Sequence, residues 1–316
     1  MRVAVVGAGV SGLTCGVRLL EEGHQVRIVT RELPPATTSA VAGAVWFPYR
    51  VTPNVRTGPW AAQSYRRFAA LAQADDVPVT MVELTMLYPE PLKEEPWWLD
   101  AVPGERVRAS TRTELPMDYG DGRAVQVPCV QAPQYLDWLT RRFAALGGRI
   151  AIQSLDRLDD LPEPVVVDCA GAGAAALTGD RDLTPVRGQV AYVRTRRPLR
   201  FMVDELGPNA LAYILPRPDV VVLGGTAEDG DTDLRPREET TRHILAKTRR
   251  MQPELAEASY VGAAVGLRPA RREVRLEGNH LDDGRLVVHD YGHGGSGFTL
   301  SWGCADEVVA TVSGGT

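Results

Sequence analysis

Val3-Ala4-Val5-Val6-Gly7-Ala8-Gly9-Val10-Ser11-Gly12 stands near the start of the chain, and its reading decides the fold. Residues 3–6 are apolar without alternation, the mark of a strand buried on both faces. Leu13, Val17, Leu19 and Leu20 then recur with helical spacing, Gly23-His24 ends that helix, and residues 26–29 read as a second strand. Strand, glycine turn, helix, strand is the context that a Gly-x-Gly-x-x-Gly motif needs to bind a dinucleotide. Gly7 permits the tight turn, Gly9 lets a diphosphate approach the backbone, and Gly12 lets the helix pack closely on the sheet. Ala8, Val10 and Ser11 complete a turn whose helix N-terminus offers unpaired N–H groups and positive partial charge to phosphate.

An acid that binds the ribose hydroxyls usually closes the second strand, but Thr30 occupies that slot, followed by Arg31 and Glu32. Glu32, about 20 residues past Gly12, is a candidate for the ribose. Arg31 suits a 2′-phosphate instead, which leaves NADP open. Residues 33–52 form a loop rich in small and hydroxyl side chains, among them Thr37, Thr38, Ala42, Gly43 and Ala44, suited to threading beside a cofactor.

The remaining pattern extends this unit. Residues 53–128 carry many prolines and short mixed runs, and residues 133–146 form a helix. Strands follow at 149–153 and 165–167, the second running into Asp168-Cys169-Ala170-Gly171. Residues 186–225 alternate as strands do, and 238–251 are helical. A strand at 286–289, a glycine loop at 291–297 and a helix from Thr299 to about Val312 close the chain. The expected architecture is α/β: a Rossmann-like domain assembled from residues 1–51, 132–186 and 269–316, with a β-rich (α+β) domain from 52–131 and 187–268.

Composition narrows the function. The chain has 316 residues, 44% hydrophobic and 24% charged, a globular balance with length for about two domains. A net charge of −5 gives no footprint for a nucleic-acid binder. The four cysteines, Cys15, Cys129, Cys169 and Cys304, form no C-x-x-C pair, so neither zinc nor another metal is expected, and a reducing compartment is. No apolar run approaches membrane-spanning length, and the terminal Ser-Gly-Gly-Thr is no peroxisomal address. A cytoplasmic enzyme with no membrane partner is the expectation.

The most specific stretch is Val287-Val288-His289-Asp290-Tyr291-Gly292-His293-Gly294-Gly295-Ser296-Gly297, with Gly303-Cys304-Ala305 after it. It resembles the signature of the D-amino-acid oxidase family. Asp290 departs from that signature, which has Asn, His or Ala there. The resemblance continues through the N-terminal glycine motif, residues 46–49, residues 166–171, Pro185-Val186-Arg187-Gly188-Gln189, Tyr213-Ile214-Leu215-Pro216 and Gly266-Leu267-Arg268-Pro269, in the family's order. Thr30 fits as well, because this family tends not to place the usual acid there.

The resemblance implies non-covalent FAD and oxidation of a D-amino acid, with hydride passing from Cα to flavin N5 and oxygen taking the electrons as hydrogen peroxide. Such chemistry needs positioning more than an acid or base. Arg268 occupies the family's carboxylate-binding position, where a guanidinium clamps with two parallel hydrogen bonds. Tyr213 matches a tyrosine that donates to the same group, and the Gly295 carbonyl would accept from the substrate amine. Gly294, Ser296, Gly297, Phe298 and Thr299 match the stretch lining the flavin, with a helix N-terminus favouring the negative charge that reduction builds. Leu155 and Gly171 match positions near the adenine and diphosphate. Val45, Phe47 and Leu215 match pocket-wall positions, and their apolar character points to neutral, branched or bulky D-amino acids. Asn209 stands where the family often has a lid tyrosine. His289 and His293 are expected to make structural hydrogen bonds. Related enzymes are often homodimers.

Four alternatives stay open. A glycine or sarcosine oxidase shares the N-terminal motif but should lack the Tyr291–Gly297 signature. A D-aspartate oxidase needs extra cations, for which Arg50 and Arg217 are candidates. An NADP-dependent dehydrogenase or a non-catalytic FAD-binding protein lies further off.

Overall fold

The glycine turn is built as its spacing requires. Gly7 adopts φ +104°, a region open to glycine, and its N–H donates to the Val29 carbonyl at 2.8 Å. At Gly12 a Cβ would press on the Gly7 carbonyl and the Cys169 side chain, so hydrogen alone fits there. The computed structural model describes residues 1–314.

In chain order the elements are β1 (Arg2–Val6), α1 (Val10–Glu21), β2 (Gln25–Thr30), α2 (Thr57–Leu71), β3 (Val79–Tyr88), β4 (Val107–Ala109) and β5 (Asp121–Val130). They continue with α3 (Ala132–Ala145), β6 (Arg149–Ile152), β7 (Val165–Asp168), α4 (Ala174–Thr178), β8 (Thr184–Arg194), β9 (Phe201–Asp204) and β10 (Ala212–Pro216). The chain closes with β11 (Val221–Gly224), β12 (Glu228–Asp229), α5 (Glu238–Met251), β13 (Ser259–His280), β14 (Leu286–His293) and α6 (Gly297–Val312).

All strands join one sheet, ordered β4-β5-β3-β9-β10-β11-β8-β13-β14-β7-β1-β2-β6, with β12 on β8. From β14 to β6 every pairing is parallel. These strands are largely apolar; α1 and α6 pack on them and α3 packs on α1. From β4 to β13 the pairings are antiparallel except β3 with β9. β13 joins the two regions, pairing with β8 along one edge and β14 along the other. The expected boundary between residues 268 and 269 falls within it.

Two stretches differ from the expected pattern. Residues 53–128 hold a 15-residue helix and two ten-residue strands, not short mixed runs. The buried face of α2 carries Trp60, Ala61, Ser64, Tyr65 and Phe68, and Trp46 packs edge-on to Tyr65 and Trp98. The last strand also runs on to His293 instead of ending at 289, because Tyr291 and His293 pair with Arg275 and Ala270 of β13. No helix among the described residues is long and apolar enough to cross a membrane.

Gly12→Ala should destabilise the fold by about 1–3 kcal/mol, since the nearest atoms it meets, those of the Gly7 carbonyl, are main chain and cannot rotate away. The urea midpoint measures this; an unchanged midpoint would show that the turn relaxes freely.

Candidate active site

A cavity of about 850 Å³ opens just beyond the carboxyl ends of β1, β2 and β7, where a ligand is expected in a parallel sheet. Of the residues expected at the site, all but Gly12, Ser296 and Asn209 line it. Gly12 serves packing, as described. The Ser296 hydroxyl accepts from the Tyr49 N–H at 2.8 Å and donates to the Tyr49 carbonyl at 3.0 Å, tying the 47–49 segment to the start of α6. Thr299 binds Phe47 in the same way, through its N–H at 3.2 Å and its carbonyl at 2.9 Å.

Asn209 corrects the expectation of a pocket residue. It is 2% exposed, its amide donates to the Tyr119 hydroxyl at 2.9 Å, and its carbonyl accepts from Arg250 Nε at 2.8 Å. The polar network around Asp204 draws this side chain away from the cavity: that carboxylate accepts from the Gly207 and Asn209 N–H groups and from Tyr119.

At one end, the cavity suits a dinucleotide. The N-terminal turns of α1 and α6 both border it, and neither has a side-chain cap. The Val10 N–H donates to Ser39 Oγ at 3.0 Å. Thr37 Oγ1 is shielded from solvent and has no protein partner, so a hydroxyl waits for an acceptor beside an uncapped helix. Arg31 and Glu32 stand at the rim, exposed and 3.6 Å apart. Gly294, with φ +57°, turns the chain into α6 and donates its N–H to the Pro269 carbonyl at 2.8 Å.

At the other end sits one guanidinium. Arg268, half-buried on β13, lies over Gly188, where any Cβ would collide with it. Its Nη1 donates to the Thr226 carbonyl at 2.8 Å, and its guanidinium carbon lies 5.5 Å from the Tyr49 ring centroid. No carboxylate pairs with it among the described residues. Tyr213, on β10, lies flat over Gly224, its register partner on β11, which again leaves no room for a Cβ. Burial raises the Tyr213 hydroxyl pKa above its ordinary value, opposed by the positive charges of Arg268 and Arg217.

The two expected cations for an acidic side chain are committed elsewhere. Arg50 makes a bidentate pair with Asp229 at 2.9 and 3.1 Å. Arg217 Nη2 donates to the Ala42 and Gly43 carbonyls at 3.1 and 2.7 Å. Neither side chain lines the cavity.

Three features escaped the sequence reading. Lys247 Nζ donates to the carbonyls of Gly225 at 2.9 Å and Leu211 at 3.1 Å, holding together two loops of the cavity wall; burial pushes its pKa down to about 8. Asp290 is fully buried behind the glycine turn. One carboxylate oxygen accepts from Ser11 Oγ and from Cys15 at 3.3 Å, and the other lies 3.1 Å from His293 Nε2. Burial alone would raise this carboxyl, but His293 and the hydroxyl hold it below the ordinary range. The third is Glu205, which lines the cavity. Lys247 carried a signal as one of two lysines among many arginines, and Asp290 as the departure from the family signature; Glu205 carried none. His289 Nδ1 lies 3.5 Å from Asp168 Oδ2, in keeping with a structural role.

A family model described as FAD dependent oxidoreductase (DAO) matches residues 2–311. The chain is 42% identical over 311 residues to a D-amino-acid oxidase of Rubrobacter xylanophilus, covering 98% of this chain and 95% of that one. It is 36% identical over 325 residues to the human D-aspartate oxidase, covering 99% and 94%. The crystal structure of glycine oxidase from Geobacillus kaustophilus superposes with a TM-score of 0.81 over 99% of this chain and 95% of that one, at 20% identity, a likeness of fold.

Asn209→Ala should cost about 1–3 kcal/mol of stability by leaving Tyr119 and Arg250 short of partners, while kcat changes by less than about twofold. Paired denaturation and turnover measurements check it; a large fall in kcat at full stability would return Asn209 to the pocket.

Proposed function

The chain belongs to the DAO family of FAD-dependent oxidoreductases, and we propose that it oxidises D-amino acids, with oxygen and water, to 2-oxo acids, ammonia and hydrogen peroxide. The observation that carries this reading is the acid-free guanidinium of Arg268 beside the Tyr213 hydroxyl in a cavity that also fits a dinucleotide.

FAD, held by the α1 turn, Thr37 and the start of α6, supplies the two-electron acceptor. Arg268 holds the substrate carboxylate through the donors that Thr226 leaves free, which fixes orientation as well as charge. Tyr213 donates to the same carboxylate; its raised pKa keeps the hydroxyl protonated at neutral pH. The Gly295 carbonyl accepts from the substrate amine. With three groups fixed around Cα, only one enantiomer turns its hydrogen to the acceptor. Val45, Phe47 and Leu215 surround the side chain with apolar surface and restrict water.

Oxidation of D-aspartate is the second reading, favoured by the 36% identity to the human D-aspartate oxidase. Against it stand Arg50 and Arg217, both already bonded. A cytoplasmic location is supported by four buried, unpaired cysteines.

The purified protein should be yellow, and its visible absorption should bleach when D-alanine or D-valine is added without oxygen, but not with the L-enantiomers. Failure of every D-amino acid to bleach it would sink the proposal. Arg268→Ala should keep the flavin and lose at least about a hundredfold in kcat/KM; a loss under about tenfold would mean that another group holds the carboxylate.

A further inference from the structure

Resting on the D-amino-acid oxidase reading, we infer that Glu205 gives the substrate pocket a preference for long, cationic side chains, such as those of D-arginine and D-lysine, over neutral side chains of the same shape.

Glu205 directly follows β9 and lines the same cavity as Arg268 and Tyr213. It differs from its neighbour Asp204, whose carboxylate is used up within the fold by Tyr119, Gly207 and Asn209. Glu205 is half-buried, and no hydrogen bond or ion pair reaches its carboxylate among the described residues. A carboxylate partly removed from water without a partner is in an unfavourable state, and burial accordingly raises its pKa.

The surroundings say what would relieve it. Tyr49, Arg268 and Glu205 all line this cavity, with the Arg268 guanidinium carbon 5.5 Å from the Tyr49 ring centroid, so the cavity carries a positive and a negative charge. An α-carboxylate pairs with the first. The apolar surface of Val45, Phe47 and Leu215 accepts methylene groups, as it does the stem of any lysine or arginine. A guanidinium or ammonium at the end of that stem pairs with Glu205 through a charge-assisted hydrogen bond. A neutral side chain leaves the carboxylate unpaired, and an anionic one repels it. Arg50 and Arg217 cannot reverse this order, since both are committed to other acceptors.

Isosteric pairs isolate the charge: D-arginine against D-citrulline, and D-lysine against D-2-aminoheptanoate, each measured as kcat/KM on the FAD-loaded enzyme. The wild type should favour each cation by at least about tenfold, the ratio that one charge-assisted contact supplies. Glu205→Gln, which keeps shape and loses charge, should bring both ratios to within about twofold of one. Wild-type ratios at or below one, or ratios that Glu205→Gln leaves intact, would overturn the inference. The wild-type comparison stands even where the variant fails to fold. Bleaching by D-alanine with flat ratios removes only the role of Glu205. Absence of bleaching by every D-amino acid removes the oxidase reading and this inference with it.

Discussion

The molecule depends on one long strand. β13 runs for 22 residues; its first half, to Ala270, pairs with β8 and its second half, from Ala270, with β14, so the antiparallel and parallel regions form one continuous sheet. Its main-chain groups have no alternative partners as good as these ladders, which makes the register stiff. Arg268 stands opposite Val186 in that register, and the alternation of side chains sends it to the cavity face. A slip of one residue would turn it to the other face. The position of this guanidinium in the cavity is thus a property of the sheet, not of a loop that can adjust.

A second constraint binds the cofactor end. Asp290 is a full buried charge, which a protein tolerates only with close partners. Its partners come from α1 and from β14: Ser11 and Cys15 on one side, His293 on the other. The carboxylate therefore fastens the first turn of α1, whose N–H groups face the cavity, to the strand that leads into α6. Both helix N-termini that would meet the dinucleotide are registered to each other through one side chain. An Asn there could fasten them by hydrogen bonds without the charge, and an Ala could not fasten them at all.

Sequence reading reached furthest where local periodicity and packing agree. The glycine turn and α5, at Glu238–Met251, are set by nearest-neighbour geometry and were legible almost to the residue. α2 was obscured because its buried face mixes Trp, Ala, Ser, Tyr and Phe, a pattern that hydropathy reads weakly, inside a proline-rich stretch. The path of β14 through His293 is decided by its partner on β13, far away in the chain. Among site residues, those in regular elements or glycine turns, such as Arg268, Tyr213 and Gly295, could be named from motif and order. Asn209, Glu205 and Lys247 could not. The first two lie in an irregular loop where Asp204 decides which side chain turns inward, and Lys247 acts across 22 to 36 residues on main-chain atoms that carry no sequence mark.

The burial of all four thiols has a consequence for durability. The pKa of each is raised, by burial for Cys129 (to about 11), Cys169 and Cys304, and for Cys15 by its hydrogen bond with Cys169 and then by burial, with neighbouring acidic groups adding to the rise for three of them. The thiolate is the form that oxidants attack, and its population at neutral pH is correspondingly small. Peroxide that reaches the molecule thus meets no readily oxidised sulfur among these cysteines.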